Sequence, residues 1–297
     1  MKRFAVISTF LFASTALAQT DTLRAKLDSL FLRATAPEQK YRHVVGPAVK
    51  ILRESPVALP YLIEKMAARD ARERRTLIDS LLIKMPQAIP SVIAATQSPN
   101  KDVARTAAEV LSKLPDERAT PNLVKLLAHP DIQARGYAAV ALGKCGGIGS
   151  REGLLKALKD SIGFVRTQAA VGLGYLHDTS TLPDLIRALR DDYYGVRFST
   201  VVSLVKFKNQ SLPYLYQALQ SESPMGRQLA AEALGKIQAK AAAPHLSRLL
   251  KSPLWSDRLA AIEALAQINS PSAQRLLSSH IEKDVLVKAR QKDLLKK

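Results

Sequence analysis

Apolar residues recur along most of this chain at spacings near 3.6, and the whole pattern returns every 30 or 31 residues. Four stretches show it: "QARGYAAVALGKC" (133–145), "FVRTQAAVGLGYL" (164–176), "GRQLAAEALGKI" (226–237) and "DRLAAIEALAQI" (257–268). Each runs from an arginine through a pair of small residues to a leucine seven places on. The leucine column is Leu81, Leu111, Leu142, Leu173, Leu204, Leu234 and Leu265. The arginine column is Arg74, Arg135, Arg166, Arg197, Arg227 and Arg258, with Ala104 in the one place that misses. A proline column follows it: Pro60, Pro90, Pro121, Pro183, Pro213, Pro244 and Pro271.

Each unit therefore predicts two helices. The first carries the Arg–small–small–Leu stretch, whose small residues allow another helix to come close. The second begins at the proline, where a missing N–H costs nothing because first-turn donors have no intrahelical partner. It is predicted to run about ten residues, as in "PDLIRALRDD" (183–192). No stretch reads as a strand. One such hairpin cannot bury its apolar face alone, but stacked neighbours can, so the pattern predicts an all-α solenoid.

The stretch "VRTQAAVGLGYL…LPDLIRALRDD" resembles the HEAT-like repeats of the phycobilisome-lyase type, and the resemblance extends from about Val57 to Leu277. It implies a right-handed superhelix of helical hairpins whose second helices line the concave surface. It also implies that the column arginines Arg74, Arg135, Arg166, Arg197, Arg227 and Arg258 are structural. They would bond backbone carbonyls or an acidic residue of the neighbouring turn. The expected organisation is a single solenoid over 19–297: an N-terminal cap at 19–36, repeats over about 37–279, and a polar cap helix at 280–297. The stretch 37–56 reads as a degenerate first helix.

The N-terminus changes where such a solenoid is expected to work. Lys2 and Arg3 precede an apolar run from Phe4, and Ala16-Leu17-Ala18 supplies small residues at −3 and −1 of a cleavage site. Residues 1–18 therefore read as a secretory signal peptide, too short to span a bilayer comfortably. The expected location is the periplasm or the medium, with no transmembrane segment. The formal charge of +18 predisposes the chain to anionic partners. Cys145 is the one cysteine, so packing without intramolecular disulfides must hold the fold.

Candidate chemistry is sparse. Metal-dependent hydroxylases built from similar repeats bind iron through His-Glu pairs, yet His43, His129, His177, His245 and His280 are followed by Val, Pro, Asp, Leu and Ile. No two of them stand at i, i+4 spacing, so no metal or other cofactor is expected. Bilin lyases resemble the chain as well, but act on cytoplasmic antenna proteins, which conflicts with an export signal. Cys145 occupies a column otherwise filled by Leu114, Leu176, Phe207, Ile237 and Ile268, so a buried, inert thiol is expected. The glycines of "GKCGGIGS" (143–150) follow a helix and read as its C-cap and turn.

One pattern remains. Lys125, Lys156, Arg187, Arg248 and Arg275 recur at one place in the second helices, and Lys159, Arg190 and Lys251 recur three residues further on. Gln217, Gln220, Ala128 and Ser278 complete the two columns, which hold no carboxylate. The i, i+3 spacing places each pair on one water-facing ridge. Such a stripe is either a solvated face complementing helix dipoles or a binding surface. Tyr214, three residues before Gln217, is expected to be exposed there as an aromatic anchor.

The resulting reading is a non-catalytic, monomeric interaction scaffold that binds an acidic protein or polymer of the cell envelope. Nucleic-acid binding is the alternative, since some HEAT-like DNA glycosylases use a basic groove. Those enzymes add aromatic and acidic catalytic residues, for which the isolated Trp255 and Asp257 are poor candidates.

Overall fold

A computed structural model describes residues 22, 24–26, 28–29, 58–67 and 86–296. The stretches expected from the sequence to be a signal peptide (1–18) and a degenerate first helix (37–56), together with Arg74 and Leu81, lie outside the described residues. In chain order the helices are α1 (Ala58–Lys65), α2 (Ile89–Ala95), α3 (Lys101–Lys113), α4 (Thr120–Leu126) and α5 (Ile132–Cys145). They continue as α6 (Ser150–Ala157), α7 (Gly163–Leu176), α8 (Leu182–Ala188), α9 (Tyr194–Lys206) and α10 (Leu212–Ala218). The last are α11 (Pro224–Ile237), α12 (Ala243–Leu249), α13 (Trp255–Ile268), α14 (Pro271–Ser279) and α15 (Val285–Leu295). The described residues contain no strand. The fold is an all-α solenoid.

From α3 onward, long first helices alternate with short second helices. The first helices form one continuous layer, with Ala138, Ala139, Leu142, Ala169, Ala170, Leu173, Ala230, Ala231 and Leu234 fully buried. Small residues set their spacing. A Cβ on Gly143 would stand 2.1 Å from the carbonyl oxygen of Gly172, and a Cβ on Gly172 would stand 2.5 Å from that of Ala139. Leu123, Leu154, Leu185, Leu215 and Leu246 of the second helices close the core from the other side.

The second helices are shorter than the sequence predicts. Helix α8 covers seven residues, not ten, and its proline is the second residue, behind a 3₁₀ turn at Thr179–Thr181. A side chain beyond each helix turns the backbone away. Asp160 Oδ1 accepts the Ile162 N–H and Asp191 Oδ1 accepts the Tyr193 N–H, both at 2.9 Å. The hydroxyls of Ser221 and Ser252 accept from Ser223 and Leu254 in the matching places. These local turns compete with helix continuation.

The ends also differ in detail from their sequence reading. Residues 22, 24–26 and 28–29 are helical, and Arg24–Glu64 and Lys65–Asp28 ion pairs at 2.7 and 2.8 Å tie them to α1. The C-terminal cap helix starts at Val285 rather than 280, because Asp284 caps it by accepting the Leu286 and Val287 N–H groups. Gln291 then donates to the carbonyls of Leu277 and His280, holding α15 against α14. In the loop 146–149, Gly146 (φ 69°) ends α5 and Gly149 (φ 90°) caps α6, conformations that favour glycine.

Candidate functional site

Two sets of cations run along the solenoid, and their surroundings separate them. The column arginines are largely covered. Arg135 forks onto Asp160 at 2.9 and 3.2 Å while its other terminal nitrogen donates to the carbonyls of His129 and Pro130. Arg166 repeats this with Asp191, both bonds at 2.8 Å, adds Asp192 at 2.6 Å, and reaches the carbonyls of Asp160 and Ser161. Arg227 takes Asp257 and Arg258 takes Glu282, again with two carbonyls each. Arg197 reaches the carbonyls of Asp191 and Asp192 but has no carboxylate among the described residues. Asp257 is thus a buried structural partner, hydrogen-bonded also by Ser252 and Gln228.

Asp160, Asp191 and Glu282 stay ionised although burial opposes it. For Asp160 and Asp191 the hydrogen bonds from Arg135 and Arg166, and the loop N–H groups, hold the carboxyl below its ordinary value. Burial also acts against Glu282, but Arg258, the Asp284 N–H and His280 outweigh it and bring the carboxyl to about 2.

The ridge cations are different. Lys125, Lys156, Lys159, Arg187, Arg190, Arg248, Lys251 and Arg275 are all exposed. Among the described residues only Arg187 meets a carboxylate, that of Asp184 one turn earlier. Because the helices stop early, Lys159, Arg190, Gln220 and Lys251 stand in the turn just beyond the helix end, not on the helix. Where α8 and α10 run side by side they enclose a cleft of about 630 Å³. Arg187, Arg190, Tyr214, Gln217, Gln220 and Glu222 line it, with Ile186 and Ala218 as its apolar floor.

Tyr214 is half-buried and packs on the core, so it is not the exposed anchor expected from the sequence. Its column faces the preceding second helix. The matching Asn122 donates to the Ile93 carbonyl, and a Cβ on the matching Gly153 would meet Leu127 and Leu142. Tyr214 therefore forms a wall of the cleft. Cys145 is half-buried rather than buried; it accepts the Asp116 N–H at 3.4 Å, and burial pushes its thiol up, away from the reactive thiolate. His177 caps α7 with φ 56° and stacks on Phe207, and His245 stacks on Tyr216. Among the described residues, no three of His, Cys, Asp and Glu are grouped to hold a metal ion. No helix there is long and apolar enough to cross a membrane.

The sequence reading missed an exposed aromatic line on the first helices, formed by Tyr175, Tyr194 and Phe198. For Phe198 the signal lay one residue after the column arginine, where the neighbouring first helices carry Gly136, Thr167 and Gln228.

A family profile for HEAT repeats matches residues 59–143, 120–205, 151–223 and 212–292. Curated proteins gave no match. Among solved structures, the complex of CpcE and CpcF of phycocyanin lyase from Nostoc sp. PCC7120 is similar, with 21% identity over 74% of this chain and 92% of that chain and a TM-score of 0.43. The YibA protein of Escherichia coli has 18% identity, covers 89% of this chain and 99% of its own, and has a TM-score of 0.50. A designed armadillo repeat protein has 20% identity over 61% of this chain and 100% of its own, with a TM-score of 0.39. At these identities the likeness is one of fold.

Proposed function

The chain belongs to the HEAT-repeat family, and from that premise we propose that it is a non-catalytic scaffold for protein interaction, binding an acidic segment along its second helices. One observation carries the reading: seven of the eight ridge cations are exposed with no carboxylate partner among the described residues, beside a ready-made cleft. A solvated face needs no such bias, since exposed helical surfaces ordinarily mix both signs. The cleft adds apolar surface at Ile186 and Ala218 beside Arg187 and Arg190, which suits a peptide carrying a carboxylate near a small apolar side chain. We further propose that the protein acts outside the cytoplasm, after removal of residues 1–18, as a monomer.

The test uses labelled poly-L-glutamate and a labelled oligonucleotide against the full chain. The acidic polypeptide should bind the wild type, and the triple variant Lys156→Glu, Arg187→Glu, Arg190→Glu should weaken binding about tenfold or more. Its circular dichroism and thermal midpoint should stay nearly unchanged, because exposed charges contribute little to stability. Equal binding by the variant would reduce the ridge to a solvated face. Preference for the oligonucleotide, with a salt slope near the number of neutralised phosphates, would instead make this a polyanion binder. Export is checked separately by intact mass, expected to begin at Gln19 in the native host.

A further inference from the structure

The outer surface of the first helices holds a second, chemically distinct feature. Five residues after the column place held by Ala104, Arg227 and Arg258, the repeats carry Glu109 in α3, Glu232 in α11 and Glu263 in α13. Each is paired: Lys113–Glu109 at 3.7 Å, Lys236–Glu232 at 2.6 Å and Arg290–Glu263 at 3.0 Å. In the three middle repeats the same place holds Val140, Val171 and Val202. The lysine one turn later is nevertheless kept as Lys144 and Lys206. Without a glutamate four residues back, both turn onto the ring of Tyr175, Lys206 at 3.4 Å and Lys144 at 4.8 Å from its centre. Neither meets a carboxylate among the described residues; Lys144 also donates to the Ser112 carbonyl.

The surface that runs back along α9 from Lys206 is apolar and open. Tyr194, Phe198 and Val202 stand at i, i+4 and i+8 of α9, so they form one line, exposed to 69%, 49% and 39%, with Lys206 at its end. Tyr194 stacks on Phe198 at 6.2 Å, Tyr175 beside them is 45% exposed, and Lys236 approaches the Phe198 ring at 5.7 Å. The Phe198 place is Gly136, Thr167 and Gln228 in the neighbouring first helices, so the fold does not require an aromatic there.

We propose that this face of α5, α7 and α9 is a second interaction surface, distinct from the ridge. Its partner is a protein segment presenting a carboxylate beside aliphatic or aromatic side chains. That carboxylate takes the place of the glutamates that the middle repeats lack, and the apolar side chains cover Tyr194, Phe198 and Val202. A second copy of the chain is disfavoured by its charge of +18. An anionic lipid surface is disfavoured by the exposed Asp192, two residues before Tyr194, and by Glu232, which pairs with the Lys236 beside the Phe198 ring.

The probe is a random 12-residue peptide library selected on the full-length protein, keeping sequences whose binding survives Lys156→Glu, Arg187→Glu, Arg190→Glu. Val202→Glu restores the i, i+4 pair to Lys206 and so preserves the helix. Selected peptides should contain Asp or Glu next to Leu, Ile, Val or Phe. Val202→Glu and Phe198→Ser should each weaken them about tenfold. The proposal is overturned if no selected peptide survives ridge reversal, which would leave the ridge reading standing. It is equally overturned if the survivors lack carboxylates or bind Val202→Glu undiminished. Binding only to phosphatidylglycerol vesicles, or self-association lost in Phe198→Ser, would also overturn it.

Discussion

At the residue scale the stack depends on atoms that are absent as much as on those present. Gly143 lies so close to Gly172 that a methyl group would overlap backbone, not a side-chain end that could swing aside. Gly143→Ala should therefore destabilise by about 1–3 kcal/mol despite the better helix propensity of alanine, read as a lower urea midpoint. Arg166→Ala should cost more than reversal of the exposed Arg190, because it leaves Asp191 without its fork and strips the carbonyls of Asp160 and Ser161 of their donor. The role of the arginines was implied by the resemblance to HEAT-like repeats, which rests on their recurrence at one place in every unit but the one where Ala104 stands. Tyr214 and Cys145 were not legible in this way, since a column shows what a position tolerates but not its burial to within one side chain. The Tyr214 column mixes Asn, Gly, Asp, His and Ser, which reads as solvent although it faces the preceding second helix.

At the element scale, helix existence and order followed from the 3.6-residue period and the proline column. Lengths did not. A periodic pattern continues through "RALRDD", whereas the backbone leaves the helix once Asp191 captures the Tyr193 N–H. The last element shows the same physics at the C-terminal end. Glu282 lies buried in the loop before α15, held by Arg258, His280 and the N–H groups of Lys283 and Asp284. Its folded value of about 2 lies below the ordinary carboxyl value of 4.5, so its contribution is fully present above pH 4.5. It fades as pH falls toward 2. The size is on the order of 2–3 kcal/mol. Hydrogen exchange of α15 amides, corrected for intrinsic rates, should show protection lost between these values. Glu282→Gln should already expose α15 at pH 7 and flatten the acid dependence.

At the scale of the whole molecule, a solenoid is only as continuous as its weakest junction, because each repeat contacts only its neighbours. The junction after α9 is that place. Arg197 finds carbonyls but no carboxylate among the described residues. The buried hydroxyls of Thr200 on α9 and Tyr216 on α10 have no hydrogen-bond partner there. The cause lies in one position. Asp160 and Asp191, which fork onto Arg135 and Arg166, are matched by Ser221, whose hydroxyl keeps the turn through Ser223 but cannot pair with Arg197. Ser252 makes the same substitution one repeat later, yet there Asp257 supplies the carboxylate to Arg227. Amides of α9 and α10 should therefore exchange faster than those of α7 and α11, dividing the stack into two cooperative blocks. Ser221→Asp should complete the ladder, slow that exchange, and raise stability by about 1 kcal/mol. The new carboxylate would be depressed by Arg197, so the gain should hold at pH 7 and vanish as pH falls below the ordinary carboxylate range. Unchanged exchange in Ser221→Asp at pH 7 would show that the missing carboxylate is not what weakens this junction.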